Sequence, residues 1–175
     1  NSKNAKGDTA LNSIKKGLAI AIQTEIEGYE FYKLASAKSK DDGVKEMFES
    51  LANDEKNHHN LLRDNYAFLA SEMKFKPFKK PSRSRLSFKS PVFSKSFLTS
   101  RRQKNFEMSA LSIGILLEQN SIEFYKTQLE IAPDNAAKSF FRDLITWEGE
   151  HLRALIAQKQ FLQREIFAQA RFEPF

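Results

Sequence analysis

Two copies of a short pattern in this sequence have the makings of a metal site: Asp54-Glu55-Lys56-Asn57-His58 and Trp147-Glu148-Gly149-Glu150-His151. Each contains Glu-x-x-His, and the copies stand 93 residues apart, as do Glu25 and Glu118. Six potential ligands therefore repeat in register, as Glu25/Glu55/His58 and Glu118/Glu148/His151. On a helix, residues three apart lie on neighbouring turns of one face, roughly 5–6 Å between Cβ atoms. Glu-x-x-His then aims one carboxylate and one imidazole at a common point. Four carboxylates buried without partners would be very costly, and their repulsion would keep some of them protonated. Two divalent cations balance the four charges and convert the cost into a binding site. Carboxylate oxygen with imidazole suits iron, with manganese or zinc as substitutes, and the lack of sulfur argues against copper(I) or a structural zinc. Oxidation of two ions to the trivalent state leaves two surplus positive charges, which an oxo or hydroxo bridge would offset. The ligand set therefore fits two such ions, iron or manganese, doing two-electron chemistry with oxygen or peroxide.

The bland alternative is a bundle whose Glu and His are salt-bridged or exposed. The in-register repetition on apolar stripes argues against it. The third histidine, His59, is expected at the surface, facing away from the stripe. Tyr32 and Tyr125 follow Glu25 and Glu118 by seven residues, two turns along the same face. They either hydrogen-bond ligand carboxylates or pack in the core with a satisfied hydroxyl. Trp147 is expected to pack between helices.

The elements that must position these residues are helices. After a polar lead-in over 1–9, Leu11, Ile14, Leu18, Ala21/Ile22, Tyr29 and Tyr32 follow a three-four spacing that carries Glu25 in its stripe. Residues 39–43 read as a turn with Asp41 or Asp42 as N-cap. A second helix carries Val44, Met47/Phe48, Leu51, Leu62, Tyr66 and Leu69 to about Met73, with Glu55 and His58 on the same face. Helix three, about Asn105 to Ile131, holds Leu111, Ile115, Ile122, Tyr125 and Leu129 around Glu118. Pro133-Asp134-Asn135 breaks it. Helix four runs to about Ala170 with Phe140/Phe141, Leu144, Leu155 and Phe161/Leu162 around Glu148 and His151. The same shift of 93 residues superposes Leu18 on Leu111, Ile22 on Ile115, Glu30-Phe31-Tyr32-Lys33 on Glu123-Phe124-Tyr125-Lys126, Asp41 on Asp134, Phe48 on Phe141, and Leu62 on Leu155. No gap is needed, so the chain is a duplicated helical hairpin.

Between the hairpins, residues 74–104 carry Pro77, Pro81 and Pro91 and show no period. Loops this long are uncommon within a domain, but a crossover along a bundle explains one. About thirty residues reach up to ~100 Å extended, against ~45 Å for a helix of that length.

The 175 residues fit one domain, 1–175, made of hairpin one (about 10–73), the crossover (74–104) and hairpin two (about 105–170). No long uncharged apolar run is present, so no transmembrane segment is expected. No leader pattern stands at the start, although the first residue is Asn, and a cytoplasmic location is expected. The absence of cysteine excludes disulfides, zinc ribbons and thiolate-held iron. Of the net charge of +6, Lys74–Lys104 supplies eleven Lys or Arg and no acid, so the remainder of the chain is acidic.

These motifs resemble the rubrerythrin branch of the ferritin-like superfamily over Ala10–Leu69 and Asn105–Ala170. The resemblance implies an all-α, ferritin-like four-helix bundle with a carboxylate-bridged di-iron centre, a template matched rather than derived. It further implies that Glu25 and His58 are terminal ligands of one iron, Glu118 and His151 of the other, and that Glu55 and Glu148 bridge. Members reduce hydrogen peroxide, and ferritin relatives oxidise Fe(II) for storage. Rubrerythrins typically add a rubredoxin domain with four cysteines, so an external electron donor such as a rubredoxin-like protein is expected here. They also carry an extra Glu where this chain has Ser121, and its counterpart after Glu25 is Gly28. The six-ligand set is closer to the bacterioferritin ferroxidase pattern.

Three readings of function follow. The first is a di-iron oxidoreductase reducing peroxide or O2 with an external donor. The second is a ferroxidase or iron-handling protein oxidising Fe(II). The third is a non-catalytic metal-binding or interaction module. A homodimer is expected. The basic crossover, with Phe75, Phe78, Phe88, Phe93 and Phe97 among its charges, is either a nucleic-acid or anionic-surface patch or, as the favoured reading, a solvated crossover whose Phe residues pin it to the bundle or to a second subunit.

Overall fold

Helix α1 spans Ser2–Lys38 and turns back as α2, Asp42–Glu72. A short α3, Lys95–Thr99, precedes α4, Arg101–Glu130, and α5, Asn135–Ala170. This is a computed structural model that describes residues 2–76, 86, 92–99 and 101–170; among them there is no strand. The expected all-α four-helix bundle forms.

Repeated chemistry makes the two hairpin turns. Asp41 sits in extended backbone and its Oδ1 accepts from the Val44 N–H (3.2 Å), capping α2. Asp134, its counterpart in the repeat, accepts from the Ala137 N–H (2.8 Å) and caps α5. An N-cap acceptor satisfies one of the four donors that a helix start leaves without partners. Pro133 before Asp134 stops α4.

Two boundaries differ from the periodicity reading. Helix α1 begins at Ser2, not near Ala10, because residues 2–9 hold no proline and the lone Gly7 costs only about 1 kcal/mol against a continuing backbone ladder. Polarity removes a buried face, not the hydrogen bonds. The crossover also contains an element: Ser94 Oγ accepts from the Phe97 N–H (3.2 Å) and the Ser94 carbonyl from Leu98 (3.1 Å), starting α3, and α4 begins at Arg101. Five helical residues are too few to show a period. The stretches 77–85 and 87–91 lie outside the described residues, and with them Pro77, Pro81, Pro91, Phe78, Phe88 and much of the charge behind the nucleic-acid reading.

Within each hairpin the helices pack along their length, and α1 crosses to α4. The crossing is antiparallel: Gly17 faces Gln128, Tyr32 approaches Gly114, and Ser39 Oγ donates to Glu107 Oε2 (3.1 Å). Helices α2 and α5 meet through larger side chains, Asp54 against His151 and His58 against Trp147.

The buried apolar residues form two clusters. One holds Tyr32, Met47, Phe48, Leu51, Leu111, Leu155 and Leu162. The other holds their repeat partners Tyr125, Phe140, Phe141, Leu144, Leu18, Leu62 and Leu69. The duplication thus builds one plug at each end, with the polar cluster described below between them. The crossover is pinned to both. Phe75 packs on Phe140 and Phe141, with ring centroids at 5.8 and 5.9 Å, while Phe93 stacks on Phe97 and Phe161 at 5.2 and 5.9 Å. Each such buried ring contributes about 1.5–3 kcal/mol. At the plug of Tyr32 and Phe48 the Val92 carbonyl comes so close to α2 that a Cβ on Gly43 would lie 2.0 Å from its oxygen. Only glycine fits there.

Candidate metal centre

One face of each long helix carries the predicted ligands where its apolar stripe is interrupted: Glu25 on α1, Glu55 and His58 on α2, Glu118 on α4, Glu148 and His151 on α5. All six are at least 95% buried. They form two groups of four, Glu25/Glu55/His58/Glu148 and Glu55/Glu118/Glu148/His151, within each of which the donor atoms lie inside 4.8 Å of one another. Glu55 and Glu148 belong to both.

The donor atoms crowd together, and most of them find no hydrogen-bond partner. His58 Nδ1 stands 3.3 Å from Glu25 Oε2 and 3.2 Å from Glu148 Oε1. His151 Nδ1 stands 3.1 Å from Glu55 Oε1, 3.2 Å from Glu148 Oε2 and 3.6 Å from Glu118 Oε2. Both Nδ1 atoms, Glu25 Oε2, Glu55 Oε1 and both Glu148 oxygens are buried and unsatisfied. Orphaned buried polar atoms are rare in a folded protein. Here they converge on two points, as donors to two cations would. The residues fit the metal pair.

The carboxylate oxygens that turn away from these points are held by the tyrosines, and the pairing is crosswise. Tyr32 Oη donates to Glu118 Oε1, and Tyr125 Oη donates to Glu25 Oε1. Each phenol therefore braces the terminal carboxylate of the other hairpin and leaves that carboxylate's Oε2 for the cluster. Both tyrosines hydrogen-bond carboxylates of the cluster, and each ring also packs in an apolar plug.

Charge is crowded enough to displace every group that responds. Burial first, then Glu148, Glu25 and Glu118, push the Glu55 carboxyl well up. Burial and Glu148 push Glu118 up to about 7. Burial would raise Glu148 too, but its two flanking imidazoles, His58 foremost, outweigh it and hold that carboxyl well below the usual range. Burial alone would lower the imidazoles; Glu148 and Glu25 raise His58 instead, and Glu118, Asp54 and Glu148 raise His151. Burial and the neighbouring carboxylates keep both phenols protonated. The carboxyl and imidazole groups thus compete for protons, which cations would displace on binding.

Trp147 packs between helices, as the sequence suggested, and does so on the site itself: its ring stacks on His58 (5.3 Å, 10°). His59, expected at the surface, is half-buried on α2. Two buried residues were not singled out from the sequence. Asp54 Oδ2 lies 3.3 Å from His151 Nε2, behind the ring. Its place directly before Glu55 was the available signal. Glu107, at the turn end of the bundle, is raised to about 7 by burial, with the Ser39 bond opposing and Asp41 adding. Nothing in its local pattern marked it.

No helix among the described residues is long and apolar enough to cross a membrane. A family model described as rubrerythrin matches residues 16–159, which contain all six residues of the cluster and both tyrosines. Neither the curated proteins nor the solved structures yield a match.

Proposed function

The chain belongs to the rubrerythrin family, and from that premise we propose that it holds two iron ions in the buried cluster and reduces hydrogen peroxide. The observation that carries this reading is the pair of four-donor groups sharing Glu55 and Glu148. Glu25 and His58 would complete one ion, Glu118 and His151 the other, and the shared carboxylates would bridge. When bound, the pair supplies two electrons by passing from two Fe(II) to two Fe(III), and with two protons these convert one peroxide to two waters. Residues 1–175 contain no cysteine, so the electrons that restore Fe(II) come in this reading from a donor outside these residues, such as a rubredoxin-like protein.

The chain's own residues provide orientation and exclusion. Tyr32 and Tyr125 hold one oxygen of each terminal carboxylate, which leaves the other aimed inward. Apolar plugs at both ends keep bulk water from the cluster, which strengthens the electrostatic interactions inside.

A second reading, a ferroxidase, is favoured by one feature. Ser121 stands where rubrerythrins carry a further Glu, and at its counterpart, Gly28, even a Cβ would come within 3.2 Å of Glu55 Oε2. The donor set is therefore a symmetric six. Anaerobic loading with Fe(II) followed by stopped-flow mixing with peroxide or O2 separates the two. Faster oxidation by peroxide, with repeated turnover under a reductant, supports the reductase. Consumption of added Fe(II) without a reductant supports the ferroxidase and overturns the first reading.

A further inference from the structure

Six ligands and two tyrosines obey the repeat with identical residues: Glu25/Glu118, Glu55/Glu148, His58/His151 and Tyr32/Tyr125. One pair against the rings does not. Asp54 and Trp147 occupy equivalent positions, each directly before a bridging Glu, and each reaches across to the histidine of the other hairpin. The Asp54 carboxylate lies 3.3 Å from His151 Nε2, whereas the Trp147 indole stacks face to face on His58. Both are buried, at 7% and 5% exposure. The two halves of the centre therefore share their donors but differ in what packs on the imidazole, a carboxylate at Nε2 of His151 and an indole on the face of His58.

A carboxylate accepting the Nε2 proton does two things to His151. It fixes the ring with Nδ1 toward the cluster, and it makes that nitrogen more electron-rich and so a stronger donor. An indole face fixes a ring by packing but accepts no ring proton. Removing such an outer partner typically costs about 10–100-fold in metal affinity. We infer that Asp54 is a positioning residue that makes the two metal positions unequal: the position completed by Glu118 and His151 binds a divalent cation about 10–100-fold more tightly than the one completed by Glu25 and His58. A half-loaded protein then carries its ion on the His151 side, and the His58 side is the one that exchanges.

This inference rests on the two-ion reading above, so the experiment first counts ions. Zn(II) titration against a chromophoric chelator gives the stoichiometry of the full 175-residue chain. Fewer than two ions overturns the two-ion reading, and the inference with it. With two ions found, Glu25→Ala isolates the His151 position and Glu118→Ala isolates the His58 position. The expected result is tighter Zn(II) binding by Glu25→Ala than by Glu118→Ala, about 10–100-fold. Adding Asp54→Asn, which keeps the side-chain shape, should erase that difference by weakening only the Glu25→Ala background. Equal affinities in the single variants overturn the inference, as does a loss from Asp54→Asn that is the same in both backgrounds. A second measurement leaves every ligand in place and serves if an isolated position does not fold. In the chain loaded with two cadmium-113 ions, Asp54→Asn should move one cadmium resonance and leave the other. Movement of both by the same amount, or of neither, overturns it.

Discussion

The crosswise tyrosine bonds make a quantitative prediction. Tyr32 lies on the helix that supplies Glu25, yet its hydroxyl donates to Glu118. Replacing it by Phe removes a buried hydrogen bond to a charged group, worth about 1.5–3 kcal/mol. With 1.4 kcal/mol per tenfold, that is about 10- to 150-fold in affinity, in line with the usual effect of removing a partner behind a ligand. Little else should change, because the ring keeps its place against Phe48 and Phe31. The assay is Zn(II) affinity by chelator competition, in three backgrounds. Tyr32→Phe should weaken binding in the otherwise unaltered chain and in Glu25→Ala, where the Glu118 position remains. It should have little effect in Glu118→Ala, where its acceptor is gone. Tyr125→Phe should show the mirror pattern, since it donates to Glu25. If the effect of Tyr32→Phe disappears in Glu25→Ala instead, the crossed brace is wrong and the tyrosine serves its own hairpin. If affinity is unchanged throughout, the phenols are core packing and nothing more.

Three further outcomes are expected. Replacing both shared carboxylates, Glu55→Ala with Glu148→Ala, should lower the bound-metal stoichiometry below two by elemental analysis; an unchanged ratio means the ions sit elsewhere. Glu107 is held up at about 7, from an ordinary 4.5, mainly by burial, so the folded state keeps a proton that the unfolded chain releases. Its contribution to stability is complete below about pH 4.5 and is lost as pH rises through about 7. Glu107→Gln should flatten that decline in urea unfolding between pH 5 and 8, and an identical slope in the variant would show that the group is not buried as described. Finally, Leu51→Ala and Leu144→Ala, repeat partners in opposite plugs, should each cost about 2–5 kcal/mol. Denaturant unfolding of the double variant should give their sum; strong coupling would mean that the plugs form one continuous core.

Much of the centre was legible in the sequence because its determinants are local. Helical spacing puts Glu55 with His58 and Glu148 with His151, whatever the helices pack against. The register of 93 residues then identifies Glu25 with Glu118 and makes two hairpins of one kind. A cap at Asp41 or Asp42 follows from local rules, and the structure places it at Asp41. What the sequence did not reveal depends on which surfaces meet. The tyrosine-to-carboxylate bonds cross because α1 and α4 run antiparallel, which brings the second half of each helix against the middle of the other. Spacing along one helix carries no information about that. Helix α3 is started by Ser94, whose N–H and Oγ are held by Asp41, 53 residues earlier. Glu107 became a buried acid only when the first hairpin's turn closed over it. Asp54 was visible beside Glu55 from the start, but a carboxylate one residue off a ligand points to no partner until α5 lies across α2. The duplicated sequence determined the donors and their symmetry. Only the packing of the two hairpins decided where that symmetry breaks, because a residue behind a ligand acts through the opposite helix.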